Sequence, residues 1–140
     1  CHIFLSERIM KMKIEHIAIW TSDIERLKLF YTEYFGCTSG SKYINSTKSF
    51  ESYFLMFDSG CRLEIMQMPS IPLNLNNSFS QYLGLIHFAV SVGSKENVDE
   101  LTARLRSDGY EIVGEPRVTG DGYYESCILD PDGNRIEITI

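Results

Sequence analysis

The sequence is short of what several protein classes require. No apolar run approaches the roughly 20 residues that span a bilayer. Basic residues are outnumbered, 13 Lys and Arg against 19 Asp and Glu, for a net charge of −6 and a pI near 5.0. That balance argues against a nucleic-acid groove or an anionic membrane surface as the main partner and leaves small molecules and proteins. The four cysteines, Cys1, Cys37, Cys61 and Cys127, form no C-x-x-C pair and follow no recognisable secretory leader. They read as reduced thiols, and the expected location is cytoplasmic. What is present is 140 residues with 44% hydrophobic content, enough for one globular domain with a sizeable core. Residues 1–12, in which Met10 and Met12 each offer a start, are set aside as an extension of uncertain status.

The last stretch organises the rest. Asp130-Pro131-Asp132-Gly133 is turn chemistry, because Pro presets φ and Gly accepts the positive φ that closes a tight reversal. In the strand expected after it, Ile136, Ile138 and Ile140 fall on one face and Arg135, Glu137 and Thr139 on the other. A related phrase occurs earlier as Asp58-Ser59-Gly60-Cys61-Arg62-Leu63-Glu64-Ile65.

The chain repeats itself around these phrases. Ile14 to Trp20 predicts a strand with Ile17 and Ile19 on one face and His16, Ala18 and Trp20 on the other. Ser22-Asp23-Ile24-Glu25 predicts a capping box, with Ser22 as the cap. A helix with Ile24, Leu27, Phe30, Tyr31 and Tyr34 at helical spacing follows, and Gly36 ends it. Strands are expected around Tyr43, from Phe50 to Phe57 and from Arg62 to Met68. Residues 69–83 are polar and without period, a linker or lid. The pattern then recurs: a strand from Leu85 to Val92 with His87 away from its apolar face, a helix capped by Ser94 with a Val98, Leu101 and Leu105 stripe, Gly109 as its stop, and strands Glu111 to Val118, Tyr123 to Leu129 and Arg135 to Ile140. The expected fold class is α+β, two tandem βαβββ modules (13–68 and 84–140) making a cupped mixed sheet within one domain, 13–140.

The duplication singles out four residues. His16 and His87 sit on the first strand of each half, Glu64 and Glu137 on the last, and each lies opposite the apolar face of its strand. A lone strand histidine is more often a hydrogen-bonded surface or core residue than a ligand, and a lone glutamate is usually solvated surface. Two of the three histidines recurring with matched glutamates is a different matter. Two imidazoles and two carboxylates converging on one face suit a divalent transition metal with room for exchangeable oxygen ligands. Trp20, Tyr53, Tyr123 and Tyr124 could line a pocket or simply pack.

These motifs resemble the vicinal oxygen chelate superfamily of glyoxalase I, methylmalonyl-CoA epimerase, fosfomycin thiol transferases, bleomycin-resistance proteins and extradiol dioxygenases. The resemblance runs from Lys13 to Ile140 on His16-Ile17-Ala18-Ile19, Phe30-Tyr31, Phe35-Gly36, Leu63-Glu64-Ile65, Ile86-His87-Phe88-Ala89-Val90 and the Asp130 to Glu137 turn and strand. The set His16, Glu64, His87 and Glu137 is similar to that of glyoxalase I (lactoylglutathione lyase). That resemblance implies one divalent metal per site (Ni, Zn, Co, Mn or Fe, with Ni or Zn favoured) and a hemithioacetal or related carbonyl substrate isomerised through an enediolate. It further implies Glu137 as the base with Glu64 able to help, glutathione or another thiol as cosubstrate, and a homodimer sharing its metal sites. The alternatives are another activity of the superfamily (epimerase, thiol transferase or dioxygenase) or a non-enzymatic binder of the resistance type. Two departures from glyoxalase I stand out: Ile65-Met66-Gln67-Met68 lacks the asparagine that often follows the first glutamate, and basic residues for glutathione are not obvious.

Overall fold

The computed structural model describes residues 10–140. Cys1 and most of the segment set aside above lie outside the described residues. In chain order the elements are β1 (His16–Trp20), α1 (Ile24–Phe35), β2 (Thr38–Ser39), β3 (Tyr43–Asn45), β4 (Phe50–Met56), β5 (Arg62–Gln67), β6 (His87–Ser91), α2 (Lys95–Ser107), β7 (Ile112–Val118), β8 (Tyr124–Leu129) and β9 (Arg135–Thr139). The fold is α+β, and each half contributes a helix and its own mixed sheet. The first sheet runs β1-β5-β4-β2 with β3 also on β4, and the second runs β6-β9-β8-β7.

The two sheets share one construction. β1 pairs parallel with β5, opposing Ala18 and Glu64, and β6 pairs parallel with β9, opposing Ala89 and Glu137. Remaining pairs are antiparallel. β1 and β6 are shorter than expected, starting at His16 and His87 rather than Ile14 and Leu85. Their ladders start opposite Arg62 and Arg135, where β5 and β9 emerge from their turns. β2 was not expected, since two residues carry no period to detect.

The apolar faces meet in one core. Ile24, Leu27, Phe30 and Tyr31 of α1, Val98 and Leu105 of α2, Leu63 and Ile65 of β5, and Ile136 and Ile138 of β9 are all buried in it. Each such side chain contributes roughly 1.5–3 kcal/mol of burial free energy. Thr102, on the same stripe of α2, is also fully buried, and its hydroxyl is satisfied by Val98 O at 2.6 Å and Ser126 Oγ at 2.7 Å.

α1 also holds the two halves together. Its Phe30 ring packs against Tyr110 at 5.0 Å and its Tyr31 ring against Phe88 at 6.2 Å. The Tyr31 hydroxyl donates to buried Asp130 at 2.7 Å, and Arg26 pairs with Asp132 at 2.7 Å. So the Asp130–Gly133 turn is clamped from the opposite half of the chain.

The helix ends show one correction. Asp23, not Ser22, caps α1, accepting from Arg26 N at 3.1 Å. Thr21 Oγ1 accepts from Asp23 N and so turns the chain one residue later, while Glu25 is taken by Tyr53 and Lys42 instead of reaching back to the cap. Gly36 is left-handed (φ 66°) as expected, Ser94 caps α2 through Asn97 N, and Gly109 follows the second helix with φ 92°. Residues 69–83 contain no helix or strand. They are seated on the second half through Ser78, whose carbonyl accepts from Arg135 Nη1 at 3.2 Å.

Candidate functional site

Strand alternation puts each histidine beside its glutamate. In the first half, His16 Nε2 stands 3.7 Å from Glu64 Oε1. Its Nδ1 faces Glu15 Oε1 at 3.4 Å, and its ring meets Phe54 edge-on at 5.4 Å. Phe54 lies directly across from Glu64 on β4. Arg62 completes the surround, with its guanidinium 3.9 Å from the centre of the Phe54 ring and its Nε bonded to Glu15 at 2.9 Å. The hydrogen bond from Arg62 holds the Glu15 carboxyl below its usual range, so Glu15 stays ionised behind the imidazole. A carboxylate on the far nitrogen is the usual way a ligating histidine is oriented.

In the second half, His87 Nε2 lies 3.0 Å from Glu137 Oε1. Cys127 stands across from Glu137 on β8. Glu125, two residues before it, is a further group that the duplication did not reveal. Its carboxyl is pushed above the ordinary value by burial first, then by the charge of Glu137 and a hydrogen bond to it, with His87 opposing. The two half-sites thus differ, one backed by Arg62 and Glu15, the other by an extra carboxyl.

The structure brings the four repeat-matched residues together as two pairs. Among the described residues, no three His, Cys, Asp or Glu side chains gather at metal-binding spacing. Each pair nonetheless fits one metal. Two ligand atoms at about 2.0–2.2 Å from a common ion, at angles between square and tetrahedral, lie about 3.0–3.5 Å apart. The second pair is already at that separation and the first needs only a small approach. All four side chains keep partial access to solvent.

The aromatic candidates divide. Tyr53 is buried, with its hydroxyl on Glu25 at 2.8 Å, and Tyr124 is bonded to Asp99. Tyr123 is exposed. Trp20 is different, because it lines a cavity of about 780 Å³ between the end of β1, residues 68–78 and the Asp132–Asn134 turn. Cys37, Cys61 and Cys127 are free thiols, and burial raises Cys37 to about 12, so it is an inert core residue.

Paired βαβββ halves, each presenting a histidine from its first strand and a glutamate from its last, define a class. The model of the Glyoxalase/Bleomycin resistance protein/Dioxygenase superfamily matches residues 13–138, and the chain belongs to that superfamily. Similar proteins include the lactoylglutathione lyase of Arabidopsis thaliana, 28% identical over 127 residues, covering 88% of this chain and 42% of the relative. The chain therefore spans less than half the length of the plant relatives it matches. A glyoxalase family protein from Enterococcus faecalis superposes with a TM-score of 0.72 at 28% identity, covering 91% of this chain and 97% of the other. Glyoxalase I from Leishmania major, described as trypanothione-dependent, gives a TM-score of 0.71 at 23% identity, covering 92% and 86%.

Proposed function

We propose that this chain is a metal-dependent lyase or isomerase of the lactoylglutathione lyase type, acting by proton transfer next to a carbonyl. The observation that carries the reading is the matched pairing of His16 with Glu64 and His87 with Glu137 on outward strand faces. A divalent ion held by these four would supply Lewis-acid polarisation of two neighbouring substrate oxygens.

The chain's own residues supply the rest. Glu137 takes the proton from the carbon beside the carbonyl and returns it to the neighbouring carbon. Its strand follows a turn locked by Asp130, which accepts from the N–H groups of Asp132 and Asn134, so the carboxylate swings from a fixed base. Glu125 borders Glu137 and keeps a second carboxyl within proton-exchange reach. Glu15, ionised by Arg62, fixes the orientation of His16.

Two pairs in one chain supply two half-sites. A homodimer in which His16 and Glu64 of one protomer meet His87 and Glu137 of its partner completes each set. The apolar residues Leu73, Leu75, Leu83 and Leu85, exposed in and beside the linker, support a covering partner. In this arrangement Glu64 faces the substrate from the side opposite Glu137.

The test is metal content and isotope exchange together. The protein should hold one divalent ion per His–Glu–His–Glu set, and His87→Ala should lower stoichiometry or affinity. Glu137→Gln should abolish solvent-deuterium incorporation from α-ketoaldehyde hemithioacetals while retaining some metal. Mixing His16→Ala with Glu137→Gln chains should restore one intact site per heterodimer. Unchanged metal binding in both His87→Ala and Glu137→Gln, or a monomer with full metal occupancy, refutes the arrangement. Oxygen consumption with a catechol, and no exchange with any hemithioacetal, assigns the protein to the dioxygenase branch instead.

A further inference from the structure

We infer that the second copy in the proposed dimer is added edge to edge and antiparallel, so that residues 10–14 of one protomer lie along β6 of its partner and residues 83–85 lie along the partner's β1. This pairing rests on the shared His–Glu–His–Glu set proposed above, and it adds a direction, a register and a role for two segments that belong to no strand.

The first observation is a pair of open edges. Among the described residues β1 pairs only with β5 and β6 only with β9, so each presents a row of unpaired backbone groups. The two edges are equivalent positions of the repeat, and each borders a groove. Ala18, Ile19 and Trp20 line a cavity of about 780 Å³, and Ala89, Val90 and Ser91 line one of about 770 Å³.

The second is the chain just ahead of each edge strand. Met10, Met12 and Ile14 are exposed and continue, in sequence, the period-two pattern of His16, Ala18 and Trp20. Leu83 and Leu85 are exposed and do the same ahead of His87, Ala89 and Ser91. Residues 10–14 and 83–85 lie in no strand and make no backbone–backbone hydrogen bond among the described residues. Strand periodicity with no neighbouring strand is half of a ladder.

Symmetry fixes the direction. Two equivalent sheet edges, laid side by side with their His–Glu faces on the same side, are related by a twofold axis normal to the sheet, so their strands run antiparallel. A shared ion places His16 of one protomer opposite His87 of the other, because neighbouring strands lie about 4.8 Å apart and both imidazoles must reach it. Counting outward from that pair, Ile14 falls opposite Ala89, Leu85 opposite Ala18 and Leu83 opposite Trp20. Ala18 and Ala89 are exposed, and each small side chain leaves room for the large one across from it. A parallel pairing through the same histidines sets Leu85 against Ile14 and Ala18 against Ala89, crowding one pair and leaving the other short of contact.

Directed cross-linking of the full chain, without added metal, tests the register. Residues directly opposite lie about 4.5–5.5 Å apart at Cβ, close enough for a disulfide to form with a small backbone adjustment. After oxidation with diamide, Ala18→Cys/Leu85→Cys should give a reducible covalent dimer in at least tenfold higher yield than the parent protein, whose own cysteines set the background. Ile14→Cys/Leu85→Cys, the pair that parallel strands bring together, should stay at the parent level. Hydrogen exchange on the unaltered protein serves if either double variant does not fold: residues 10–14 and 83–85 should exchange at least tenfold more slowly than in Leu83→Glu/Leu85→Glu, which should be a monomer by light scattering. Leu29→Glu, exposed on α1 away from both edges, should remain a dimer. A monomeric parent, a dimer linked through Ile14→Cys/Leu85→Cys, or a dimer whose two segments exchange as fast as in the monomer overturns the inference. A dimer linked in the parallel register removes this pairing and leaves the shared site standing, and none of these readouts depends on turnover.

Discussion

Tyr31→Phe removes one oxygen from a buried polar contact between the two halves of the chain. The Tyr31 side chain is fully buried, and its hydroxyl donates to Asp130 Oδ2 at 2.7 Å. Asp130, itself buried, would keep Asn134 Nδ2 on the same oxygen and the Asp132 and Asn134 N–H groups on the other. The carboxylate is therefore weakened rather than orphaned, and the loss falls in the range for a hydrogen bond to a charged group, about 2 kcal/mol at neutral pH. For a chain of this size that corresponds to a fall in Tm of about 6–8 °C.

The same contact fixes a sign for pH. Burial raises the Asp130 carboxyl above its ordinary value, with Asn134 and Tyr31 opposing. A carboxyl whose folded value is raised stabilises most below its unfolded value, and that contribution is lost as pH rises through the folded value. Losing the Tyr31 hydroxyl raises the folded value further, so the penalty is full when Asp130 is ionised and shrinks toward a neutral hydrogen bond, about 1 kcal/mol, in acid. Urea unfolding of parent and Tyr31→Phe at pH 7.5 and pH 4 measures both figures. A cost under about 0.5 kcal/mol at pH 7.5, or a larger cost at pH 4, refutes the reasoning.

Asp23→Ala should destabilise by about 1 kcal/mol in the same assay, while Ser22→Ala changes little; the reverse order would mean that α1 is capped as the bare capping-box pattern suggests. Gly133→Ala combines a φ of 83° with a contact at Ser78 Oγ, so it should cost more than Gly60→Ala, where φ is 84° and nothing lies within 4 Å of the added carbon; thermal scans of the two variants separate strain from contact. Glu125→Gln should leave metal stoichiometry by elemental analysis unchanged, because His87 and Glu137 keep their own contact, whereas a loss of metal would make Glu125 a ligand.

Much of this was legible because the chain makes its statement twice. The faces of β1, β5, β6 and β9 follow from period two, and His16 with Glu64 and His87 with Glu137 from recurrence between the halves. Recurrence is also what hid Glu125. Phe54 pairs with Glu64 as Cys127 pairs with Glu137, so the counterpart of Glu125 is Ser52, and a comparison that keeps only shared residues discards it. The cap of α1 shifted by one residue because Thr21 and Tyr53 compete for the groups a capping box uses, and Tyr53 is distant in sequence. Convergence of all four residues was read from strand faces alone. That argument fixes the direction of a side chain relative to its own sheet, while the placing of one sheet against the other depends on contacts such as Phe30 with Tyr110.

The strand order sets a timetable for synthesis. β9 lies between β6 and β8 in its sheet, as β5 lies between β1 and β4. Neither sheet can close until its central strand has been made, and that strand is the last of its half in the chain. The first sheet can close once Gln67 has been added, but in the second β7 and β8 can pair with each other while β6 has no partner until Arg135–Thr139 is made. During that interval the edges of β6 and β8 that β9 will fill stay unpaired, which makes the second half dependent on protection from association while it is being made.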